Sequence, residues 1–182
     1  MTAMKTYKLQ VAGVERELPI IRITPNLSIA SFVILGDCEI VVKSAPLIAE
    51  KLPEVDVLIT AEAKGIPLVH EIADLLGHKN YLVARKSVKP YMNNPLVVKV
   101  NSITTQKEQT LCLDEKDAKM VKGKKVAIID DVISTGDSVN AVEALVKEAG
   151  GLVAAKASIL AEGDAAKLPD IIFLEELPLF LD

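Results

Sequence analysis

The chain has 182 residues, half of them apolar and a quarter charged, with three Phe, three Tyr and no Trp. That is enough for one domain with a sizeable core of Ile, Val, Leu and Ala, a mix that suits a parallel sheet buried on both faces. A net charge of −4 excludes a general nucleic-acid binder, so any anionic ligand must be captured by local groups.

The first 35 residues show no strand–helix alternation. A helix is expected over about Glu39–Leu52, with Pro46 as a candidate break. Val55–Thr60 (VDVLIT) is a short β-branched run, and the loop Ala61-Glu62-Ala63-Lys64-Gly65 follows it. Pro67 then falls in the first turn of a helix. Ile66, Val69, Ile72, Ala73 and Leu76 share one face of that helix, and Gly77 closes it. Tyr81–Ala84 is a second strand, and Leu96–Val100 and Leu111–Leu113 flank the polar hairpin tip SITTQKEQT. A third strand, Lys125–Ile129, leaves the turn Lys122-Gly123-Lys124. Val139, Val142, Leu145, Val146 and Ala149 have helical spacing, ended by Gly150-Gly151. Leu152–Leu160 and Asp170–Leu174 complete a set of five strands.

This alternation predicts a single α/β domain, 1–182, doubly wound around a mainly parallel five-stranded sheet with right-handed crossovers. The first 35 residues and the last ten are expected to cover one end of it. Ligands of such sheets bind beyond the carboxyl ends of the strands, where the loops 61–65 and 131–138 fall.

No apolar run approaches the length of a membrane span, and the N-terminal MTAMKTYKLQ has no continuous apolar stretch. Neither a signal peptide nor a membrane partner is expected, and a cytoplasmic location is. Cys38 and Cys112 fit no CxxC spacing and are expected to be buried or partly buried thiols. No metal site made of protein ligands alone is visible in the sequence.

The stretch that carries chemistry is VAIIDDVISTGDS, residues 126–138. A turn entering a helix N-terminus offers backbone N–H groups to a phosphate. Gly136 allows close approach, and Ser134, Thr135 and Ser138 add hydroxyl donors. Asp130 and Asp131 cannot face the same phosphate, because like charges repel. They suit a vicinal diol such as that of a ribose, or Mg²⁺ held through water. Helix capping would account for one of these acids and leave the other unexplained. No GxxxxGK[ST] loop occurs.

This run resembles the phosphoribosyl-pyrophosphate (PRPP) motif of type I phosphoribosyltransferases. The resemblance implies ribose contacts from Asp130 and Asp131, and 5′-phosphate contacts from Ser134, Thr135, Gly136, Asp137 and Ser138. Asp137 departs from the small residue usual there, so only its amide is expected to contribute. Glu62, Ala63, Lys64 and Gly65 match the family's pyrophosphate loop, often built around a cis peptide bond. VARKSVKPYM (83–92) resembles the family's basic segment, which makes Arg85, Lys86 and Lys89 candidates for the pyrophosphate charge. The hairpin tip corresponds to a flexible lid that shields an oxocarbenium-like centre from water, with Lys107 able to reach the pyrophosphate.

Within that family the chain resembles the adenine phosphoribosyltransferases in length, pyrophosphate loop and basic segment. Their Glu-Tyr-Gly lid element is replaced by Thr104-Thr105-Gln106, with Glu108 as a shifted candidate. The resemblance implies Mg²⁺-dependent transfer from PRPP to a purine, adenine before a 6-oxopurine such as xanthine, in a homodimer. A non-catalytic PRPP-sensing regulator is the second reading, although the N-terminal segment is short for a DNA-binding module. For the base, the hood stretch Ile29–Val33 supplies apolar cover, Phe32 is the aromatic in reach, and the Lys64 carbonyl can accept from an exocyclic amine. Glu162 accepts only, so it prefers a base that presents N–H donors.

Overall fold

The computed structural model describes residues 5–101 and 108–181. Its central sheet has the order β10-β9-β8-β4-β5, with β11 also on β9. The strands are β4 (Val57–Ala61), β5 (Leu82–Ala84), β8 (Lys125–Ile133), β9 (Leu152–Glu162), β10 (Ile171–Ile172) and β11 (Glu175–Leu177). All pairings in this sheet are parallel.

Helices cover both faces, as β-branched strands without a polar face require. On one side α1 (Cys38–Lys51) and α2 (Ile66–Leu75) bury Ile40, Ile48, Leu68, Val69 and Ile72 against Leu58, Ala127 and Ile129. On the other, α4 (Asp137–Glu148) buries Val142, Leu145 and Val146 with Val126 and Ile128. Side chains of β8 therefore alternate between two cores, at the period of two that a strand imposes.

A second, four-stranded antiparallel sheet forms the hood, in the order β1-β2-β3-β12. It joins β1 (Thr6–Val11), β2 (Val14–Thr24) and β3 (Leu27–Ala30) to the C-terminal β12 (Leu179–Leu181). N-terminal and C-terminal strands thus share one sheet. Arg16 ties it to α1 through Asp37 (2.8 Å) and Glu39 (2.8 Å). Beside the central sheet, β6 (Leu96–Asn101) and β7 (Glu108–Leu113) form the arms of a hairpin. The tip, 102–107, lies outside the described residues, and with it Lys107 and Thr104-Thr105-Gln106.

Several expectations are corrected. Pro46 does not break α1, which runs through it from Cys38 to Lys51. Pro46 is exposed, and so is Val42, whose carbonyl it leaves without a helical donor, so the lost bond falls on the solvent side. The third strand does not stop at Ile129. It continues through both aspartates to Ile133, because β9 keeps pairing with it at Asp130↔Ser158, Val132↔Leu160 and Ile133↔Ala161. The fourth strand likewise runs on to Glu162, and the fifth is split into β10 and β11 along one edge of β9. Helix α3 (Glu115–Val121) was not foreseen, although Asp114 caps it and Glu115 and Asp117 occupy its first turn. Cys38 is exposed, whereas Cys112 is buried and its thiol is pushed up by that burial.

Candidate active site

At the carboxyl end of the central sheet, three chain segments converge: the loop after β4, the segment after β5 and the end of β8. Asp130 and Asp131 are adjacent near the end of β8, and their carboxyl groups lie within hydrogen-bonding reach of each other. Asp130 lines a cavity of about 90 Å³ together with Val132, Ile133, Ser134, Thr135, Gly136, Asp137, Ser138 and Val139. Asp131 is 1% exposed. Its Oδ2 accepts a hydrogen bond from Lys64 Nζ at 2.8 Å. Burial, followed by the neighbouring Asp131 charge, pushes the Asp130 carboxyl up to about 7.

The turn Ser134–Gly136 delivers the chain into α4. Gly136 is the N-cap at φ +81°, a left-handed conformation that glycine adopts freely, and no side chain caps the helix. Asn140 N donates to Gly136 O at 2.7 Å and Asp137 N reaches Thr135 Oγ1 at 3.4 Å. The next amides, of Ser138 and Val139, are first-turn donors without a helical acceptor. They border the same cavity as Asp130. An uncapped N-terminus of this kind carries partial positive charge.

The loop 62–65 sits against β8. The Glu62–Ala63 peptide bond is cis, the feature the resemblance attaches to this loop. Gly65 is buried where α2 begins. Glu62 turns toward the basic segment: Oε1 pairs with Arg85 Nη2 at 3.1 Å, and Oε2 accepts from Lys86 N at 3.0 Å. The Lys86 amide first, and the Arg85 guanidinium after it, hold the Glu62 carboxyl below its usual range. Arg85 Nη1 donates to Tyr91 Oη at 2.8 Å, while its Nε is buried without a hydrogen-bond partner among the described residues. Lys89 Nζ donates to Ser87 Oγ at 2.7 Å.

Glu162 ends β9, one residue beyond the Ile133↔Ala161 pair and opposite Leu177. It is 7% exposed and has no hydrogen-bond partner among the described residues. Hood strand β12 reaches the same place: a Cβ on Gly163 would lie 2.7 Å from Leu179 Cδ1. Phe32 is 6% exposed and belongs to the core on the α1–α2 side, so it offers no open face for stacking. Its neighbours Val33 and Leu35 are the exposed apolar residues of that stretch.

The sequence-derived segments 62–65, 85–89 and 130–138 are therefore brought together, and Glu162 lies one strand away. The Lys64 side chain and Tyr91 escaped sequence reading. Lys64 and Asp131 are 67 positions apart, and nothing local links them.

Residues 40–176 match the phosphoribosyl transferase domain model. The chain belongs to the phosphoribosyltransferase family. A hypoxanthine/guanine phosphoribosyltransferase of Methanocaldococcus sp. (strain FS406-22) is 36% identical over 115 residues, 63% of this chain and 55% of that protein. The chain thus spans about half the length of that relative. The adenine phosphoribosyltransferase of Clostridium botulinum (strain Alaska E43 / Type E3) is 31% identical over 129 residues, 70% of this chain and 72% of its own length. The crystal structure of adenine phosphoribosyltransferase from Thermoanaerobacter pseudethanolicus shares the fold, with a TM-score of 0.67 at 22% identity over 87% of this chain and 95% of that one. Asp137 is the first residue of α4. No helix among the described residues is long and apolar enough to cross a membrane.

Proposed function

We propose that this phosphoribosyltransferase transfers the 5-phosphoribosyl group of PRPP to a purine base and releases pyrophosphate. The observation that carries the reading is the placement of Asp130, in one small cavity with the uncapped start of α4. A phosphate at the α4 end of that cavity, away from the Asp130 carboxyl, meets the Ser138 and Val139 amides and the hydroxyls of Ser134, Thr135 and Ser138. The acid pair beside it accepts hydrogen bonds from the ribose diol. Loop 62–65 and the cations Arg85 and Lys89 face the leaving group. Most of the catalysis is positioning and electrostatic neutralisation of that leaving group.

Mg²⁺ suits this donor set. Among the described residues no three His, Cys, Asp or Glu side chains converge. Asp130 and Asp131 are hard oxygen donors, and Mg²⁺ binds through one or two carboxylates with the remaining ligands from phosphates and water. The ion neutralises the departing pyrophosphate.

Adenine is the first candidate base, supported by the adenine phosphoribosyltransferase relative. Glu162, 7% exposed and without a side-chain hydrogen bond among the described residues, favours a second reading. A carboxylate there accepts from N–H donors such as the adjacent N1–H and 2-amino group of guanine, and one relative is a hypoxanthine/guanine enzyme. The reading also includes a homodimer in the cytoplasm.

The test is calorimetry of PRPP with Mg²⁺ on the wild type and on Asp130→Asn/Asp131→Asn. The folded double variant should lose PRPP binding; unchanged affinity sinks the reading. Pyrophosphate release with adenine, hypoxanthine, guanine, xanthine and pyrimidines then ranks the bases. Release with none of them moves the protein to the PRPP-sensing class. Glu162→Gln should reorder the bases more than it alters PRPP affinity.

A further inference from the structure

The acid that the reading above gives to the ribose is already occupied. Asp131 is 1% exposed, and its carboxylate is held by an ion pair with the Lys64 ammonium at 2.8 Å. A carboxylate removed from water needs a compensating charge or several donors, so in the free protein Lys64 is what makes burial of Asp131 tolerable. The two partners differ in mobility. The Asp131 side chain is 2% exposed and fixed in the middle of a paired strand, whereas the Lys64 side chain is 48% exposed and extends from a loop. A lysine is a compact charge on a flexible stem, able to exchange partners.

We propose that Lys64 is an exchangeable cation: it holds Asp131 in the free protein and passes to the pyrophosphate group when the ligand takes Asp131. This rests on the ribose and pyrophosphate assignments of the preceding subsection. A diol that donates to Asp131 must displace the ammonium from Oδ2. The displaced ammonium remains tethered to residue 64, in the loop that faces the leaving group. Metal carried in with PRPP restores the positive charge that the acid pair loses. Lys64 therefore competes with any ligand that has the diol but no pyrophosphate, and it assists any ligand that has pyrophosphate. A lysine serving only to stabilise the fold would shift both affinities the same way.

The experiment is calorimetry on Lys64→Gln and Lys64→Arg with two probes, ribose 5-phosphate and pyrophosphate with Mg²⁺, with circular dichroism checking the fold. Lys64→Gln should bind ribose 5-phosphate about fivefold tighter, since the competing ion pair is gone. It should bind pyrophosphate about tenfold more weakly. Lys64→Arg grips a carboxylate with two parallel bonds, so it should bind ribose 5-phosphate more weakly than wild type while retaining pyrophosphate. That second variant decides the matter if Lys64→Gln does not fold. Both affinities moving together, or neither moving in a folded variant, overturns the exchange. A wild-type protein that binds neither probe overturns the site assignment itself, a result distinguishable from failure of the exchange alone.

Discussion

Gly65 packs directly on Asp130: a methyl group at Gly65 would lie 3.2 Å from Asp130 Cα and 3.1 Å from the Ile129 carbonyl oxygen. It would also overlap Thr60 Oγ1. The conformation of Gly65 is ordinary for any residue, at φ −72°, so the requirement for glycine is one of space. The two loops of the candidate site meet at this contact, because β4 and β8 are neighbours in the sheet. Gly65→Ala should force α2 away from β8 and cost about 1–3 kcal/mol, the usual effect of an added methyl in a filled interior. Thermal unfolding measures the loss, and PRPP affinity should fall with it. An alanine variant with wild-type stability would show that this contact relaxes freely.

The Asp130 carboxyl gives the fold a pH dependence of defined sign. In the folded chain it keeps its proton up to about pH 7, against an ordinary value of 3.8. Between those values the folded state binds more protons than the unfolded one, so stability falls as pH rises from about 4 to 7 and then levels off. Asp130→Asn should remove this dependence. The variant should be more stable than wild type at pH 8, by on the order of 2 kcal/mol, with the advantage gone near pH 4. Melting curves from pH 4 to 8 test this, and an equal offset at every pH would contradict it.

Gly136 is required for its conformation rather than for space. Its φ is +81°, and the nearest atom to an added Cβ is Asn140 Nδ2 at 3.4 Å. A β-branched residue is disfavoured there by about 1–2 kcal/mol, and its bulk would block the approach of a phosphate. Gly136→Val should keep the secondary structure in circular dichroism and lose ribose 5-phosphate binding. Retained affinity would place the phosphate elsewhere.

Arg85 is shared between Glu62 and Tyr91. Glu62→Gln removes the countercharge while keeping the shape, leaving more of the guanidinium field for an anion. Pyrophosphate affinity with Mg²⁺ should rise about threefold. Unchanged affinity in calorimetry would mean that the Arg85 charge is not directed at the anion.

Local pattern in the sequence determined the kinds of element, their order and the edge at which the chemistry lies. The runs at Val55–Thr60, Lys125–Ile129 and Leu152–Leu160 are apolar on both sides, which commits them to a sheet covered on both faces. The succession of acids, hydroxyls and Gly136 is likewise contiguous, and so are the caps at Gly77 and Gly150. Tertiary structure decided what contiguity does not contain. Continued pairing with β9 carries β8 through Asp130 and Asp131, although two adjacent charges read as a strand end. The longer strand then carries Asp130 to the α4 cavity and Asp131 to Lys64. Phe32 enters the core because β3 joins the hood to α1 there, and Leu179 reaches Gly163 because β12 returns to pair with β3. Each of these depends on which distant segments become neighbours. Strand pairing and packing set that, and periodicity along a single segment carries no record of it.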